Sequence, residues 1–429
     1  MLMNVTTNDW YMEALSTDKC RSNPDFPLIS KAKGAYLYDV NGTGYIDGTS
    51  GSGVVNLGHQ HPRVIEAVIN QLEKLVHTGC KCPSDIRRKM VLKLGDFSPY
   101  EKCSILPTVT GAEAVEAALK VARAYTKRKA IISFEHAFHG KTTGALSVTW
   151  RKDYKEFSDD PSPNFFVSEC PQLNAKDSQD HLDGCLYTFQ QTIKKAFENN
   201  RPIAAVIIEP IQVTEGILPV GKNFLENIIK MAHDVGALVI LDEIFTGFGR
   251  TGEKFYSCKL KEKPDILMVG KGLGNGFPIS AVLGDSVIID SLPAEVQTST
   301  HSGYPLSCAA ACSVIEEMNE KLTWIDAKEK GQRICEFLKA KEMQYDFVTS
   351  VRGEGMLLAF DCIDKNGNPS SPIAKDFIKR ALDKKLILSC GGYQECTVRI
   401  IPPLTISEHD INYMLSIIDE VLSELQIKL

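Results

Sequence analysis

The stretch Asp265-Ile266-Leu267-Met268-Val269-Gly270-Lys271-Gly272-Leu273-Gly274-Asn275-Gly276-Phe277-Pro278 decides how the chain is read. Its first half is an apolar run of strand length, and its second half is a glycine-rich turn. An apolar run with no alternation is the mark of a parallel strand buried on both faces. Glycines beyond it let the backbone turn sharply where a ligand approaches. Lys271 sits at the junction. A strand-end lysine is most often a solvated surface group. A desolvated one has a depressed pKa and a neutral, nucleophilic form, as Schiff-base chemistry requires.

Working outward, two more apolar runs end in acids. Ile203-Ala204-Ala205-Val206-Ile207-Ile208 is followed by Glu209, and Ala237-Leu238-Val239-Ile240-Leu241 by Asp242 and Glu243. Ala130 to Phe134 reads as a further strand, and Gly111 to Thr126 as a helix with Val115, Ala118, Leu119 and Ala122 on one stripe. Strands alternating with helices imply right-handed crossovers and a mostly parallel sheet covered on both faces. Ligands in such sheets bind beyond the carboxyl ends of the strands, so Glu209, Asp242, Glu243 and Lys271 are expected on one rim.

The flanks differ. Asp39 to Gly44 reads as a hairpin turn between Ala35–Tyr38 and Tyr45–Ile46. A helix is expected after His61-Pro62, with Val64, Ile65, Val68, Ile69, Leu72 and Val76 at helical spacing. The tail from about Glu316 returns to short strands and helices and closes on a helix from about Glu408 to Glu424. The expected division is an N-terminal segment over 1–56, a large α/β domain over 57–315 and a smaller α+β domain over 316–429, which the N-terminal segment joins.

Bulk properties narrow the function. The 429 residues are 43% hydrophobic and 24% charged, ordinary for a globular chain with a large core. A net charge of −6 argues against a nucleic-acid partner. No run approaches the roughly 18 apolar residues of a membrane span. The start, Met1 to Trp10, lacks the basic flank and apolar stretch of a secretion signal. The 13 cysteines are odd in number and scattered. Cys80/Cys82 and Cys308/Cys312 have no zinc spacing with nearby partners, and reduced thiols in a cytoplasmic protein are expected.

A cofactor with an aldehyde, a ring nitrogen and a phosphate finds each need met. Lys271 can take the aldehyde, Asp242 can keep a pyridine nitrogen protonated, and the helix start at Thr110-Gly111-Ala112 offers free N–H groups to a phosphate. Phe138, before His139-Gly140, can lie against the ring. Along the chain stand Thr110-Gly111-Ala112-Glu113-Ala114-Val115-Glu116, Phe138-His139-Gly140-Lys141-Thr142, Glu209-Pro210-Ile211-Gln212, the run from Asp242 to Gly252, Gly270-Lys271-Gly272, Thr300-His301-Ser302-Gly303-Tyr304-Pro305 and Arg399-Ile400-Ile401-Pro402-Pro403-Leu404. With these motifs the chain resembles the class III aminotransferases of the fold-type I pyridoxal-phosphate family, a group that includes 4-aminobutyrate, ornithine and putrescine aminotransferases.

The resemblance implies a ping-pong transaminase that uses pyridoxal 5'-phosphate to move an amino group from an ω-amine or amino acid to pyruvate or 2-oxoglutarate. Decarboxylation or racemisation on the same fold is the alternative chemistry, and a non-enzymatic binding protein the remaining one. Lys271 would be the Schiff-base lysine and proton carrier, and Asp242 the partner of the ring nitrogen. Gly111, Ala112, Phe138, His139, Ile244 and Thr300 would hold the cofactor, with Thr300 supplied across a homodimer. Arg399 would grip a substrate carboxylate, and Glu209 would neutralise that arginine when the donor has none. Ser52 and Lys141 would line the substrate side.

Each role has a plainer counterpart. Asp242 can cap a turn, Glu209 and Arg399 can be structural ion-pair partners, and His59 and His61 belong to a turn. Four departures from the resemblance bear on substrate. Phe245 stands where glutamine is usual, and Gln212 is the nearest replacement. Lys141 stands where an arginine grips a distal carboxylate, and a lysine lacks the bidentate fork. Val213-Thr214-Glu215-Gly216 replaces Gly-Glu-Gly-Gly, and Ser52 replaces a bulkier side chain.

Overall fold

The chain is described here by a computed structural model covering residues 26–79, 81–156, 163–171, 179–293 and 295–428. The opening decapeptide and Cys80 lie outside these residues.

The central sheet has seven strands: β1 (Ser104–Thr108), β2 (Ala130–Phe134), β3 (Phe165–Ser168), β4 (Ile203–Ile208), β5 (Leu238–Asp242), β6 (Ile266–Val269) and β7 (Ser280–Gly284). In space they run β1-β7-β6-β5-β4-β2-β3. All are parallel except β7, which lies antiparallel between β1 and β6. The four strands read from the apolar runs are all present. The edge strands β1 and β3, and β7, lie outside the apolar runs named above: β1 and β3 are short and only half-buried along most of their length.

Strand periodicity divides the core in two. On β4 to β6, Val206, Ile208, Val239, Leu241, Leu267 and Val269 join one apolar cluster, while Ala205, Ile207, Leu238, Ile240, Ile266 and Met268 join the other. The second face is covered by the helix Gly111–Thr126 through Ala114, Val115, Ala118 and Ala122. The first is covered by the helices Gln179–Glu198 and Lys222–Asp234 through Phe189, Phe224, Ile228 and Ile229. Both faces are sealed, so only the strand ends are open to a ligand.

Strands Ile29–Lys33, Tyr36–Asp39 and Gly44–Asp47 form a meander, and Leu386–Ile387 adds parallel to its last strand. A second four-stranded antiparallel sheet holds Val348–Glu354, Leu357–Cys362, Thr397–Ile400 and Ser389–Gly391. The final helix spans Glu408–Lys428, past the expected end. The helix after His61 spans Pro62–Leu72 and stops short of Val76. It buries Val64 and Val68 but leaves Ile69, Leu72 and Val76 exposed, so the apolar spacing overstates the buried face.

Arg250 fastens these parts. Fully buried, it donates to the carbonyls of Met356 (3.1 Å) and Pro402 (2.6 Å) and to Asn56 Oδ1 (2.6 Å). Burial draws its pKa down to about 9.

Candidate active site

Glu209, Asp242 and Lys271 follow or end three consecutive strands, β4, β5 and β6, so sheet order alone sets them side by side. Phe138 and His139 follow β2, the next strand along. Gly111 and Ala112 begin the helix that leaves β1. A cavity of about 170 Å³ lies among all of these, with Gly140, Thr214, Ile244 and Phe245 completing its wall.

Lys271 occupies the left-handed backbone region, with φ of +39°, an uncommon setting for a side chain other than glycine or asparagine. Its neighbour Gly272 has no room for a Cβ, which would lie 2.4 Å from Asn56 Nδ2. The lysine is half-buried. Nζ donates to the Ser52 carbonyl at 3.3 Å and lies 3.5 Å from the centroid of the Phe245 ring. Some surface remains open toward the cavity, yet the atoms packed around Nζ replace most of its water. That burial brings the pKa down to about 7, against the opposing pull of Asp242 and Glu209. A substantial neutral fraction at neutral pH makes this amine a competent nucleophile.

Asp242 is 6% exposed. Its Oδ2 lies 2.8 Å from His139 Nδ1, and its Oδ1 accepts the Ile244 amide at 3.1 Å. His139 is itself buried, and its backbone amide donates to Thr149 Oγ1 at 2.9 Å. Glu209, also 6% exposed, accepts the Phe138 amide at 2.9 Å and the Val213 amide at 3.4 Å. Burial and then the negative charge of Asp242 push its carboxyl well above the usual range. Glu243, expected on the same rim, turns away and accepts the Tyr256 and Ser257 amides.

At the helix start, Thr110 caps by accepting the Glu113 amide, and Glu113 reaches back to the Val109 amide at 2.8 Å. The amides of Gly111 and Ala112 fall in the first turn, where no helical carbonyl can receive them. Gly140 packs on this turn with φ of +130°, and a Cβ there would lie 2.8 Å from Ala112 Cβ. A dipole-backed nest of amides, a buried carboxylate and a desolvated lysine around one cavity fit the phosphate, ring nitrogen and aldehyde of pyridoxal phosphate.

Other expected residues lie outside the cavity wall. Ser52, with φ of +65°, reaches Lys271 only through its carbonyl. Lys141 is exposed, its Nζ 4.4 Å from the centroid of the Tyr154 ring. Thr300 is exposed. Arg399 is half-buried on its strand and donates to the Cys390 carbonyl. The carboxylate whose charge acts on Arg399 is that of Glu215, while Glu209 is engaged by the Phe138 and Val213 amides. Gln212 donates to the Glu135 carbonyl at 2.6 Å. The sequence gives no role to Glu215 and does not mark Arg151, Tyr154 or Tyr393. Glu215 left one signal, its place in the departing segment Val213 to Gly216.

Comparison with known proteins agrees with this geometry. The family described as Aminotransferase class-III matches residues 19–422. A [LysW]-aminoadipate semialdehyde/glutamate semialdehyde transaminase of Sulfurisphaera tokodaii is 36% identical over 78% of this chain and 81% of its own. A probable 4-aminobutyrate aminotransferase of Bacillus subtilis is 31% identical over 97% and 98%. Among solved structures, an (S)-enantioselective omega-transaminase from Thermomicrobium roseum superposes with a TM-score of 0.88 at 26% identity, covering 96% of this chain and 98% of that one. The chain therefore belongs to the class-III aminotransferases, fold-type I transferases that move amino groups with pyridoxal phosphate.

Proposed function

We propose that this chain transfers a terminal amino group of an ω-amine or ω-amino acid to a 2-oxo acid by a ping-pong mechanism, as a cytoplasmic homodimer. The observation that carries the reading is the alignment of Lys271, Asp242 and Glu209 on three adjacent strand ends, with the Lys271 pKa drawn down to about 7. The names of the relatives, one for 4-aminobutyrate and one for ω-transamination, support a terminal amine.

Pyridoxal phosphate, when bound, supplies an aldehyde and an electron-withdrawing ring that stabilises negative charge at the amine-bearing carbon. Lys271 would be the nucleophile toward that aldehyde, and its amine is the group placed to hold the proton that leaves the donor carbon. Asp242, oriented by His139 and the Ile244 amide, would keep a proton on the ring nitrogen. The Gly111 and Ala112 amides would hold the phosphate, Phe138 and Ile244 would supply apolar contacts to the ring, and Arg399 would take the carboxylate of the oxo acid. Glu209 fixes Phe138 through its amide. Ser52 and Lys141 shape the mouth.

The homodimer reading draws on the exposed apolar residues Ile69, Leu72 and Val76 and on exposed Thr300, which would complete the site of a second copy. The test is a half-reaction: holoenzyme mixed with an amine donor and no oxo acid should lose the visible absorbance of its bound cofactor, and a 2-oxo acid should restore it. Persistent absorbance with carbon dioxide release, or with loss of chirality in a recovered amino acid, overturns the transfer.

A further inference from the structure

We propose that Arg151 is a second anion-holding guanidinium of the substrate pocket, so that the amino acceptor is a 2-oxo acid with a second carboxylate. The proposal rests on the transamination read above, with Arg399 as the first guanidinium.

The cluster on which it stands is incomplete as it is. Glu215 is 4% exposed, and neither of its carboxylate oxygens has a hydrogen-bond partner among the described residues. Arg151 Nε lies 3.8 Å from Glu215 Oε1, too far for a hydrogen bond, and the buried Nε atoms of Arg151 and Arg399 are likewise without one. Buried charged groups left unpaired cost stability, so a purely structural ion pair closes tightly. Arg352 and Asp361 nearby show what that looks like, with two parallel contacts of 2.8 Å each.

The Glu215 backbone is held firmly. Arg352 donates to the adjoining Gly216 carbonyl at 2.7 Å and 2.9 Å, and the Thr214 carbonyl accepts the Gly392 amide. Arg151 is also placed, with its guanidinium 4.9 Å from the centroid of the Tyr154 ring and donating to the Tyr154 hydroxyl at 3.2 Å. The Tyr154 ring stands edge-on to Phe138 at 6.1 Å, which sets Arg151 one ring away from the cavity wall. Lys141 reaches the same tyrosine ring but is exposed to water.

Two guanidinium groups whose charges act on one carboxylate leave a positive charge that a ligand anion can neutralise. Asp153 at 3.3 Å from Arg151 is mostly exposed, so water screens it. A 2-oxo dicarboxylate fits, with the carboxylate beside the oxo group on Arg399 and the far one on Arg151. Glu215 offsets part of the charge of the two cations while the acceptor is away.

The test measures KM and kcat for 2-oxoglutarate and for pyruvate in holoenzyme and in Arg151→Gln and Arg151→Lys. A lost charge-assisted contact predicts a KM for 2-oxoglutarate raised about 10- to 100-fold in Arg151→Gln, with KM for pyruvate within about twofold and only partial recovery in Arg151→Lys. Equal movement of both KM values shows a structural role and overturns the proposal. Wild-type turnover of pyruvate with refusal of 2-oxoglutarate overturns it too, while leaving transamination intact. Refusal of both acceptors marks failure of the underlying reading, and the proposal falls with it. As a second measurement that needs no variant, glutarate should bind wild-type holoenzyme about tenfold more tightly than butyrate by calorimetry; equal affinities overturn the proposal.

Discussion

His139 Nδ1 lies 2.8 Å from Asp242 Oδ2, and both side chains are buried in the cavity wall. With the Ile244 amide on Oδ1, the carboxylate has both oxygens oriented before any ligand arrives. A group whose task is to hold one proton at one ring atom gains from such fixation, because it needs no reorganisation when charge develops.

From that pairing, Asp242→Asn should cost more than His139→Phe. The first removes the charge and keeps the shape, and kcat/KM should fall about 100- to 1,000-fold. The second leaves the charge but loses one charge-assisted hydrogen bond, a fall of about tenfold. Steady-state kinetics on both variants checks the order, and an equal or larger loss in His139→Phe would refute the assignment.

Lys271 gives a prediction free of turnover. Its pKa in the cofactor-free fold is about 7, below the ordinary lysine value, so over pH 7 to 10 the unfolded chain binds more protons than the folded one. Stability from this group therefore rises with pH across that window. Cofactor-free Lys271→Met should be more stable than wild type at pH 7, and the gap should close toward pH 10. Denaturant midpoints across that range measure it. A gap that is flat or widens with pH would show that the ammonium is not desolvated.

Glu209 carries the opposite sign. Its carboxyl is held well above the usual range, so the folded chain keeps a proton that the unfolded chain has released. The group's contribution to stability falls as pH rises above the ordinary glutamate value. Glu209→Gln retains an oxygen to accept the Phe138 amide at the place of the present 2.9 Å contact. Its stability should fall less than that of wild type between pH 5 and 8, whereas Glu209→Ala, which strands that amide, should lose about 1–3 kcal/mol. Parallel pH profiles for Gln and wild type would contradict the raised pKa.

The sheet was legible because its middle strands β4, β5 and β6 are unbroken apolar runs, and the sequence order of their terminal residues maps directly onto neighbouring positions. Lys271, Asp242 and the helix start at Gly111 follow from that map. Arg151 and Glu215 do not. Arg151 sits in a polar stretch after Trp150 with no periodicity to mark it, and it meets Glu215 only because the chain folds back from β4 past the smaller antiparallel sheet. The same holds for the partner of Arg399: pairing by motif pointed to Glu209, while backbone amides that no motif encodes claim that carboxylate. Long-range side-chain pairings set by loops are where reading a single sequence ends.

Arg250 tests the scaffold beneath the site. Its fork reaches the carbonyls of Met356 and Pro402 and the side chains of Asn56 and Ser50, joining both flanks of the chain to the loop after β5. Asn56 Nδ2 in turn donates to the Phe248 carbonyl at 2.8 Å and crowds Gly272 beside Lys271. A lysine carries the charge but not the planar fork, so Arg250→Lys leaves several buried acceptors unmet. The expected loss is about 3–5 kcal/mol in denaturant unfolding, with weaker cofactor retention as Asn56 loosens. If the loss is under about 1 kcal/mol and the cofactor stays bound, the fork does not hold the site together.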